Sequence, residues 1–157
     1  NLIQLATSVI REMSDLATEK KLSLQIKSDH EELWEIVDAE RLKQVVRNLI
    51  SNAIKFSNEE TVVHIEFTST AGKVILTVVN RGIGIPTSEL ETVFDKFVQS
   101  SKTRTGAGGT GLGLSICKEI VHQHGGQIRA ESDPGHETKL IVELPRRQRK
   151  SSEPQAA

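Results

Sequence analysis

The sequence contains few of the residues on which several common kinds of site depend. It has one cysteine and five scattered histidines, which excludes a zinc framework built on cysteine and histidine. No apolar run approaches the length of a membrane span, and the N-terminus lacks a signal-peptide pattern. We therefore expect a soluble, cytoplasmic chain that makes no direct membrane contact. The formal net charge of −1 gives no electrostatic basis for nucleic acid as a partner.

Aromatic residues are also scarce, with one tryptophan, four phenylalanines and no tyrosine in 157 residues. The core of a single domain of this length must then be mainly leucine, isoleucine and valine. The lone Cys117 is interpreted as a small apolar core residue. Residues 1–145 are predicted to form the domain. Residues 146–157 are basic and lack periodicity, which indicates a disordered tail or linker.

Hydrophobic periodicity predicts alternating helices and strands. Residues 2–21 have a helical apolar stripe but no evident N-cap and no initiating methionine, which suggests that the chain starts inside a longer protein. A strand at 22–27 follows, and Trp34 and Ile36 are expected in a short strand. Asp38 is a suitable N-cap for a deeply packed helix that ends near Phe56.

The second half of the chain is predicted to contain two hairpins. These are strands 63–67 with 74–78 and strands 127–131 with 139–144. Between them, Thr87 is expected to cap a helix that reaches Phe94 or Phe97. A second helix should follow the glycines and end at Gly125-Gly126. Strands joined by hairpins, with three main helices on one face, predict an α/β two-layer sandwich with a mixed, mostly antiparallel sheet.

One glycine-rich segment dominates the chain. Five glycines lie between positions 106 and 113, directly before an amphipathic helix. A flexible loop that leads into a helix N-terminus presents backbone N–H groups and a positive dipole to an anion, most often a phosphate. The segment lacks the Gly-Lys-Ser/Thr ending of a P-loop. The alternative is that the glycines only make a flexible loop.

Two further constellations carry polar groups. Asn48, Asn52 and Lys55 share one face of the helix from Asp38. Amides on an apolar helix are costly to bury unless a partner satisfies them, and Mg²⁺ with substrate phosphates would do so. The second constellation, residues 80–86, reads Asn-Arg-Gly-Ile-Gly-Ile-Pro after an apolar strand, and its backbone could approach a flat ligand. A solvent-facing helix edge and a plain turn are the respective alternatives.

Together these residues resemble the catalytic, ATP-binding domain of a sensor histidine kinase. This domain belongs to the GHKL superfamily, which also includes type II topoisomerases, the ninety-kilodalton heat-shock chaperone and mismatch-repair proteins. Four boxes match in order. They are Asn48-x-x-x-Asn52-Ala-Ile-Lys55-Phe, Asn80-x-Gly82-x-Gly84-Ile-Pro, Phe94-Asp-Lys-Phe97 and Gly109-Thr-Gly-Leu-Gly-Leu114. The resemblance runs from Asn1 to Pro145 and implies a Bergerat-type fold.

The resemblance also implies roles for individual residues. Asn52 would ligate Mg²⁺, with support from Asn48, and Lys55 would contact phosphate. Phe56 would lie beside the adenine of ATP. The remaining nucleotide contacts would come from Asn80, Gly82, Gly84, Ile85, Lys102, Gly109, Thr110, Gly111, Leu112 and Gly113. Residues 106–113 would form a flexible lid, which is expected to be disordered without nucleotide. Phe94 and Phe97 would anchor the near end of this lid in the core.

The implied activity is that of a protein-histidine kinase in a two-component phosphorelay. The γ-phosphoryl group would pass to a histidine on a separate phosphoacceptor dimerisation domain, which the sequence does not contain, and then to a response regulator. Hydrolysing relatives carry a glutamate where this chain has Asn48. An amide is a poor base, which favours transfer over hydrolysis and disfavours an ATP-hydrolysing clamp.

One residue departs from the family pattern. The second box normally opens with an aspartate that accepts a hydrogen bond from the adenine amino group, and here it opens with Asn80. A neutral acceptor forms a weaker bond, which would cost on the order of 1–3 kcal/mol of binding free energy. An engineered variant, a natural low-affinity kinase and a natural variant with compensating contacts all fit. The alternative function is therefore an ATP-binding-impaired domain that acts as a regulatory or docking module.

Overall fold

The computed structural model describes residues 1–102, 109–133 and 135–147. This part of the chain forms three α-helices and five β-strands. The helices are α1 (Leu2–Glu19), α2 (Ala39–Phe56) and α3 (Gly113–Gln123). The strands are β1 (Ser23–Ser28), β2 (Val62–Ser69), β3 (Lys73–Asn80), β4 (Gln127–Ser132) and β5 (Thr138–Pro145).

The five strands form one sheet in the order β1-β2-β3-β5-β4. The β1–β2 pair is parallel, and the other three pairs are antiparallel. The three helices pack on one face, so the predicted two-layer sandwich with a mixed, mostly antiparallel sheet is confirmed. In the β3–β5 pair Asn80 lies opposite Thr138, and this register places one end of the functional site.

The core lies between the helices and one face of the sheet. Alternate residues of β2 and β3 face the helices, and α2 contributes the fully buried Leu49 and Ile50. This arrangement explains the period-two pattern of the strands and the broad apolar stripe of α2. Cys117 is fully buried in α3, and burial raises the pKa of its thiol to about 12. It is a core residue, as expected.

Helix α1 does have an N-cap, contrary to the sequence interpretation. The side-chain oxygen of Asn1 accepts hydrogen bonds from the backbone N–H groups of Ile3 at 3.0 Å and Gln4 at 3.4 Å. Asparagine is a favoured capping residue, and its position as the first residue concealed this role. Further along α1, Glu12 pairs with Lys43 and Arg47 of α2, both at 2.6 Å. None of the helices in the described ranges is long and apolar enough to cross a membrane.

The expected short strand at Trp34 and Ile36 is wrong. Both side chains are exposed, and the segment between β1 and α2 joins no strand ladder. A side-chain ion pair holds this segment in place of a ladder. The buried carboxylate of Glu35 accepts a hydrogen bond from Arg146 Nε at 2.7 Å. Asp38 caps α2 as predicted, accepting from Arg41 N–H at 3.1 Å.

The single helix expected from Thr87 to Phe94 or Phe97 is also wrong. The chain instead makes two short 3-10 turns, Thr87–Glu89 and Thr92–Phe94, and the Thr87 side chain caps neither of them. Phe94 is buried, but Phe97 is 75% exposed and does not lie in the core. Phe97 has φ +63° and donates its N–H to Gly111 O at 3.1 Å. This pairing with a distant segment takes the residue out of helical conformation.

The folded part continues two residues past the expected boundary at 145. The N–H of Arg146 donates to Gly72 O at 3.0 Å, and the N–H of Arg147 donates to Glu35 at 3.2 Å. Arg146 and Arg147 therefore belong to the domain. The rest of the predicted tail, residues 148–157, lies outside the described residues.

Candidate nucleotide-binding site

A cavity of about 280 Å³ lies at the C-terminal half of α2. Two segments close its sides: residues 80–85, here named the Asn80 wall, and residues 109–113, the Gly109 wall. Eleven of the predicted site residues line it. They are Asn48, Asn52, Lys55, Phe56, Asn80, Gly84, Ile85, Gly109, Thr110, Gly111 and Gly113. Three of the four sequence boxes, far apart along the chain, thus meet at one place, while no residue of the Phe94–Phe97 box lines the cavity.

Gly82, Lys102 and Leu112 do not line the cavity. Lys102 lies at its rim and donates to Ile83 O at 3.1 Å. Leu112 is the N-cap residue of α3, where no side-chain oxygen caps the helix. The other glycines of the predicted lid, Gly106 and Gly108, belong to residues 103–108, outside the described residues.

Helix α2 supplies the floor of the cavity. Its Asn48 Nδ2 donates to Gly113 O at 3.2 Å, a bond that fixes the start of α3 against α2 and leaves the Asn48 side-chain oxygen as an acceptor. Lys55 Nζ lies 5.4 Å from the centre of the Phe56 ring, within the range of a cation–π contact. The same Nζ would be 3.5 Å from a Cβ at Gly109. A cation therefore stands between the floor and the Gly109 wall.

The last turn of α2 has its carbonyl groups satisfied by three separate parts of the chain. Ser57 N–H donates to Ala53 O at 3.0 Å, and Ile83 N–H donates to Phe56 O at 3.3 Å. The Lys20 ammonium donates to the carbonyls between them, those of Ile54 at 2.9 Å and Lys55 at 2.6 Å. A helix end leaves such carbonyls without intrahelical partners, so these contacts fix the turn that carries Lys55 and Phe56.

Lys20 was not identified from the sequence, because nothing local distinguishes it from its neighbour Lys21. Its ammonium is partly buried between α1 and α2. This burial lowers the pKa of Lys20, and the nearby Glu59 carboxylate opposes the shift. Lys21, by contrast, is exposed, and its ion pairs within the described residues are long, with Glu59 at 3.5 Å and Glu60 at 3.7 Å.

Gly82 shapes the site from behind rather than from inside. A Cβ at this position would lie 1.7 Å from Phe56 O, far below any allowed contact. The backbones of the two segments are also bonded directly, with Asn58 N–H donating to Arg81 O at 2.8 Å. Gly82 is therefore required for the Asn80 wall to reach the end of α2.

The inner end of the cavity is polar and nearly closed. Asn80 is 6% exposed and lies beside Thr138, which is 7% exposed and also lines the cavity. Ser132 Oγ accepts from Ile85 N–H at 2.9 Å and lies 3.0 Å from Thr138 Oγ1. Sequence reasoning missed Ser132 and Thr138, since only the β3–β5 and β4–β5 registers bring them to Asn80.

Side chains and one backbone pair hold the Gly109 wall. Gly111 adopts φ +72°, and a Cβ there would approach the backbone of Phe97 to 3.0 Å. Gln99 donates from its side-chain amide to Gly109 O. Earlier in the chain, Ser100 Oγ donates to the Glu89 carboxylate at 2.6 Å.

The donor set of the cavity suits Mg²⁺ only together with a ligand that brings oxygens of its own. No group of three or more histidine, cysteine, aspartate or glutamate side chains that could hold a metal occurs in the described parts of the chain. Asn52 and Asn48 line the cavity with amide groups, and Mg²⁺ commonly takes few protein oxygens and completes its shell with phosphate and water. The residues present therefore fit a magnesium ion that arrives with a phosphate ligand.

The fold is that of the catalytic domain of histidine kinases. Residues 37–148 match the family of histidine kinase-, DNA gyrase B- and HSP90-like ATPases. The chain belongs to this family, and the resemblance drawn from the four sequence boxes is confirmed.

Several curated relatives are sensor kinases of two-component signalling. The sensor histidine kinase WalK of Bacillus subtilis is 41% identical over 119 residues, which cover 73% of this chain and 19% of that protein. The alginate biosynthesis sensor protein KinB of Pseudomonas aeruginosa is 32% identical over 145 residues, covering 92% of this chain and 24% of KinB. The chain thus spans about a fifth to a quarter of the lengths of these relatives.

Solved structures agree with the family. The nucleotide-free catalytic domain of histidine kinase ThkA superposes with a TM-score of 0.82 at 32% identity, covering 93% of this chain and 95% of that one. Full-length ShkA in complex with AMPPNP gives a TM-score of 0.83 at 25% identity, covering 95% of this chain and 31% of ShkA.

Proposed function

We propose that this domain binds Mg·ATP in the cavity and donates the γ-phosphoryl group to a histidine on a separate dimerisation domain of a longer sensor kinase. The observation that carries the proposal is the convergence of Asn52, Lys55, Asn80 and the Gly109 wall on one cavity. Helix α2 contributes amides and a cation, the Asn80 wall contributes a buried hydrogen-bonding end, and the Gly109 wall leads into an uncapped helix N-terminus.

The inner end of the cavity suits a purine base. Asn80 and Thr138 supply hydrogen-bonding groups, and the Phe56 ring and Ile85 supply apolar surface. Base pockets of this kind combine a mainly apolar lining with a few placed polar groups. We assign the adenine to this end, with Asn80 Oδ1 accepting from the exocyclic amino group.

The opposite end suits a polyphosphate. Lys55 Nζ lies next to Gly109, and α3 begins at Gly113 with no side-chain cap and no acidic residue in its first turn. Backbone N–H groups and the helix dipole favour negative charge there. When bound, Mg²⁺ would supply charge neutralisation on the phosphate oxygens, with Asn52 and Asn48 as its protein ligands.

The same arrangement favours transfer over hydrolysis. Asn48, at the position of the base in hydrolysing relatives, is an amide whose Nδ2 already donates to Gly113 O. An amide cannot take a proton from water. Movement of Asn48 away from the start of α3 would also break its bond to Gly113 O. Phosphoryl transfer needs mainly positioning and charge neutralisation, which the cavity residues provide.

The acceptor and the next partner are expected in other chains or other parts of the protein. The structure of ThkA in complex with the response regulator TrrA matches this chain with a TM-score of 0.80 at 30% identity. We infer by this likeness that the domain works with a dimerisation domain of its own protein and a cognate response regulator.

One observation favours the second candidate, a domain with impaired nucleotide binding. Asn80 is almost completely buried at the point where the family pattern has a carboxylate, so its neutral amide must satisfy the base with little help from water. A neutral acceptor in this setting forms the weaker bond. Such a domain would serve as a regulatory or docking module.

Calorimetric titration with Mg·ADP and Mg·AMPPNP separates the two candidates. We expect binding by the chain as it stands, and binding about tenfold tighter in Asn80→Asp, the equivalent of about 1.4 kcal/mol. Asn58→Asp makes the same chemical change at an exposed position outside the cavity and should leave the affinity unchanged. Binding only in Asn80→Asp would establish the impaired module, and no binding in either chain would remove the nucleotide site.

Transfer is tested by mixing the domain with the dimerisation domain of its own parent protein and radiolabelled ATP. Label in an acid-labile, base-stable form on the acceptor is the expected result. Asn52→Ala should abolish labelling while the circular dichroism spectrum stays unchanged. Release of inorganic phosphate without labelled acceptor would contradict transfer.

A further inference from the structure

We propose that Lys20 is a positioning residue for the nucleotide site, because its ammonium caps the last turn of α2 and thereby holds Lys55 and Phe56 against the cavity. The inference rests on the proposed nucleotide binding and adds to it a control point outside the cavity. Lys20 itself does not line the cavity.

The contact geometry supports a cap rather than a surface ion pair. Lys20 Nζ donates to two successive carbonyls of α2, those of Ile54 at 2.9 Å and Lys55 at 2.6 Å. Both belong to the set of last-turn carbonyls that have no partner within the helix. A lysine ammonium has three donors on a flexible stem, so a single group satisfies both carbonyls.

The other end of Lys20 is also fixed. It is the C-cap residue of α1, and its backbone N–H donates to Ala17 O at 3.2 Å. The next two residues close the same turn through Thr18 O at 2.9 Å and Ala17 O at 2.8 Å. The cap therefore transmits the position of α1 to the turn that bears Lys55 and Phe56.

Those two residues depend on this turn for their orientation. The Lys55 ammonium lies over the Phe56 ring and beside Gly109, so it faces the cavity where phosphate is expected. Ile83 of the Asn80 wall donates to Phe56 O at 3.3 Å. If the last turn frays, the cation, the ring and the anchor point of the Asn80 wall lose their fixed geometry together.

Lys20→Met removes the ammonium and keeps most of the side-chain length. In the nucleotide-free domain we expect the carbonyl ¹³C shifts of Ile54 and Lys55 to change. Affinity for Mg·AMPPNP should fall about three- to tenfold, as expected for loss of a charged hydrogen bond that orders the site. Lys20→Arg also offers donors to two carbonyls and should restore affinity to within about twofold of the original.

Lys21→Met is the matched control, since Lys21 is the adjacent residue and its ion pairs are exposed. It should change neither the Ile54 and Lys55 carbonyl shifts nor the affinity. All titrations are run well below the thermal unfolding midpoint of every variant. Each variant is then fully folded, so a lower stability alone does not change the measured dissociation constant.

The outcomes distinguish this inference from the proposed function. Unchanged carbonyl shifts in Lys20→Met, or changed shifts with unchanged affinity, would overturn the positioning role while nucleotide binding stands. An equal loss in Lys20→Met and Lys21→Met would also overturn it. If the original chain binds Mg·AMPPNP too weakly to measure, the Lys20 and Lys21 variants are made in the Asn80→Asp background. Failure of the Asn80→Asp chain to bind would remove both the nucleotide site and the positioning role of Lys20.

Discussion

The two walls of the cavity are both rich in glycine, yet they are held in different ways. The Asn80 wall is bonded backbone to backbone to the end of α2, through Asn58 to Arg81 O at 2.8 Å and Ile83 to Phe56 O at 3.3 Å. The Gly109 wall has one backbone bond of this kind, from Phe97 to Gly111 O at 3.1 Å. Its other described ties to distant segments come from side-chain amides, with Gln99 donating to Gly109 O and Asn48 Nδ2 donating to Gly113 O at 3.2 Å.

This difference separates two requirements of a nucleotide site. Movement of the Asn80 wall would break its backbone hydrogen bonds to the end of α2. A wall held in this way suits recognition of a rigid base. Side-chain amides provide two of the three described ties of the Gly109 wall to distant segments, and side chains rearrange on a fast timescale at low cost. Such a wall can adapt to phosphates that enter and leave. The following predictions test the contrast, and the largest expected effect comes first.

Gly82→Ala should break the Asn80 wall. The added Cβ would sit 1.7 Å from Phe56 O, so the wall must leave α2, and we expect a loss of about 3 kcal/mol or more of unfolding free energy. Urea denaturation measures the change. Gly72→Ala is the control, because no heavy atom lies within 4 Å of a Cβ there. Similar stabilities for the two variants would show that the wall is not fixed by this contact.

Gly111→Ala should strain the Gly109 wall less severely. The residue has φ +72°, and its Cβ would approach Phe97 to 3.0 Å. A left-handed alanine costs about 1–2 kcal/mol, part of which the wall can relieve by shifting. Denaturant unfolding and AMPPNP titration should show a small stability loss and weaker binding. Gly109→Ala, whose Cβ meets Lys55 Nζ at an ordinary 3.5 Å, should keep its stability. A loss as large as that of Gly82→Ala would contradict the contrast.

Lys102→Met should have the smallest effect on stability. The side chain is exposed, and its hydrogen bond within the described residues is to Ile83 O of the Asn80 wall at 3.1 Å. We expect a change below about 0.5 kcal/mol in unfolding free energy. The affinity for Mg·AMPPNP should fall several-fold if Lys102 exchanges this carbonyl for phosphate. Lys96→Met, at another exposed position, should change neither quantity. An unchanged affinity in Lys102→Met would remove Lys102 from the site.

Much of the fold was predictable because its signals are local. The apolar stripes of α1 and α2, the alternation in the two hairpins and the Asp38 cap all follow from neighbouring residues. The errors came where distant contacts override local pattern. Phe97 is exposed and left-handed because it pairs with Gly111, and the segment around Trp34 is held by the Glu35–Arg146 ion pair instead of a strand ladder.

The candidate site shows the same division. Its polar residues on α2 and its glycines were recognised from spacing and order, and they meet at the cavity. Gly82 was assigned to the pocket, but it belongs to the Asn80 wall without lining the cavity and packs against Phe56 O. Sequence cannot tell a glycine needed for ligand approach from one needed for packing. Thr138, Ser132 and Lys20 were missed because each reaches the site only through strand register or helix packing.

The sequence by itself determined the fold class, the family and most of the residue types that line the cavity. Those properties depend on periodicity and on short ordered boxes, which the chain carries regardless of how its elements pack. Only the tertiary structure decided which side chain caps the last carbonyls of α2 and which hydroxyl groups lie beside Asn80. It also decided which wall of the cavity is held by backbone hydrogen bonds. These depend on contacts between residues tens of positions apart, whose geometry is set by packing of the helices on the sheet and by the register of its strands.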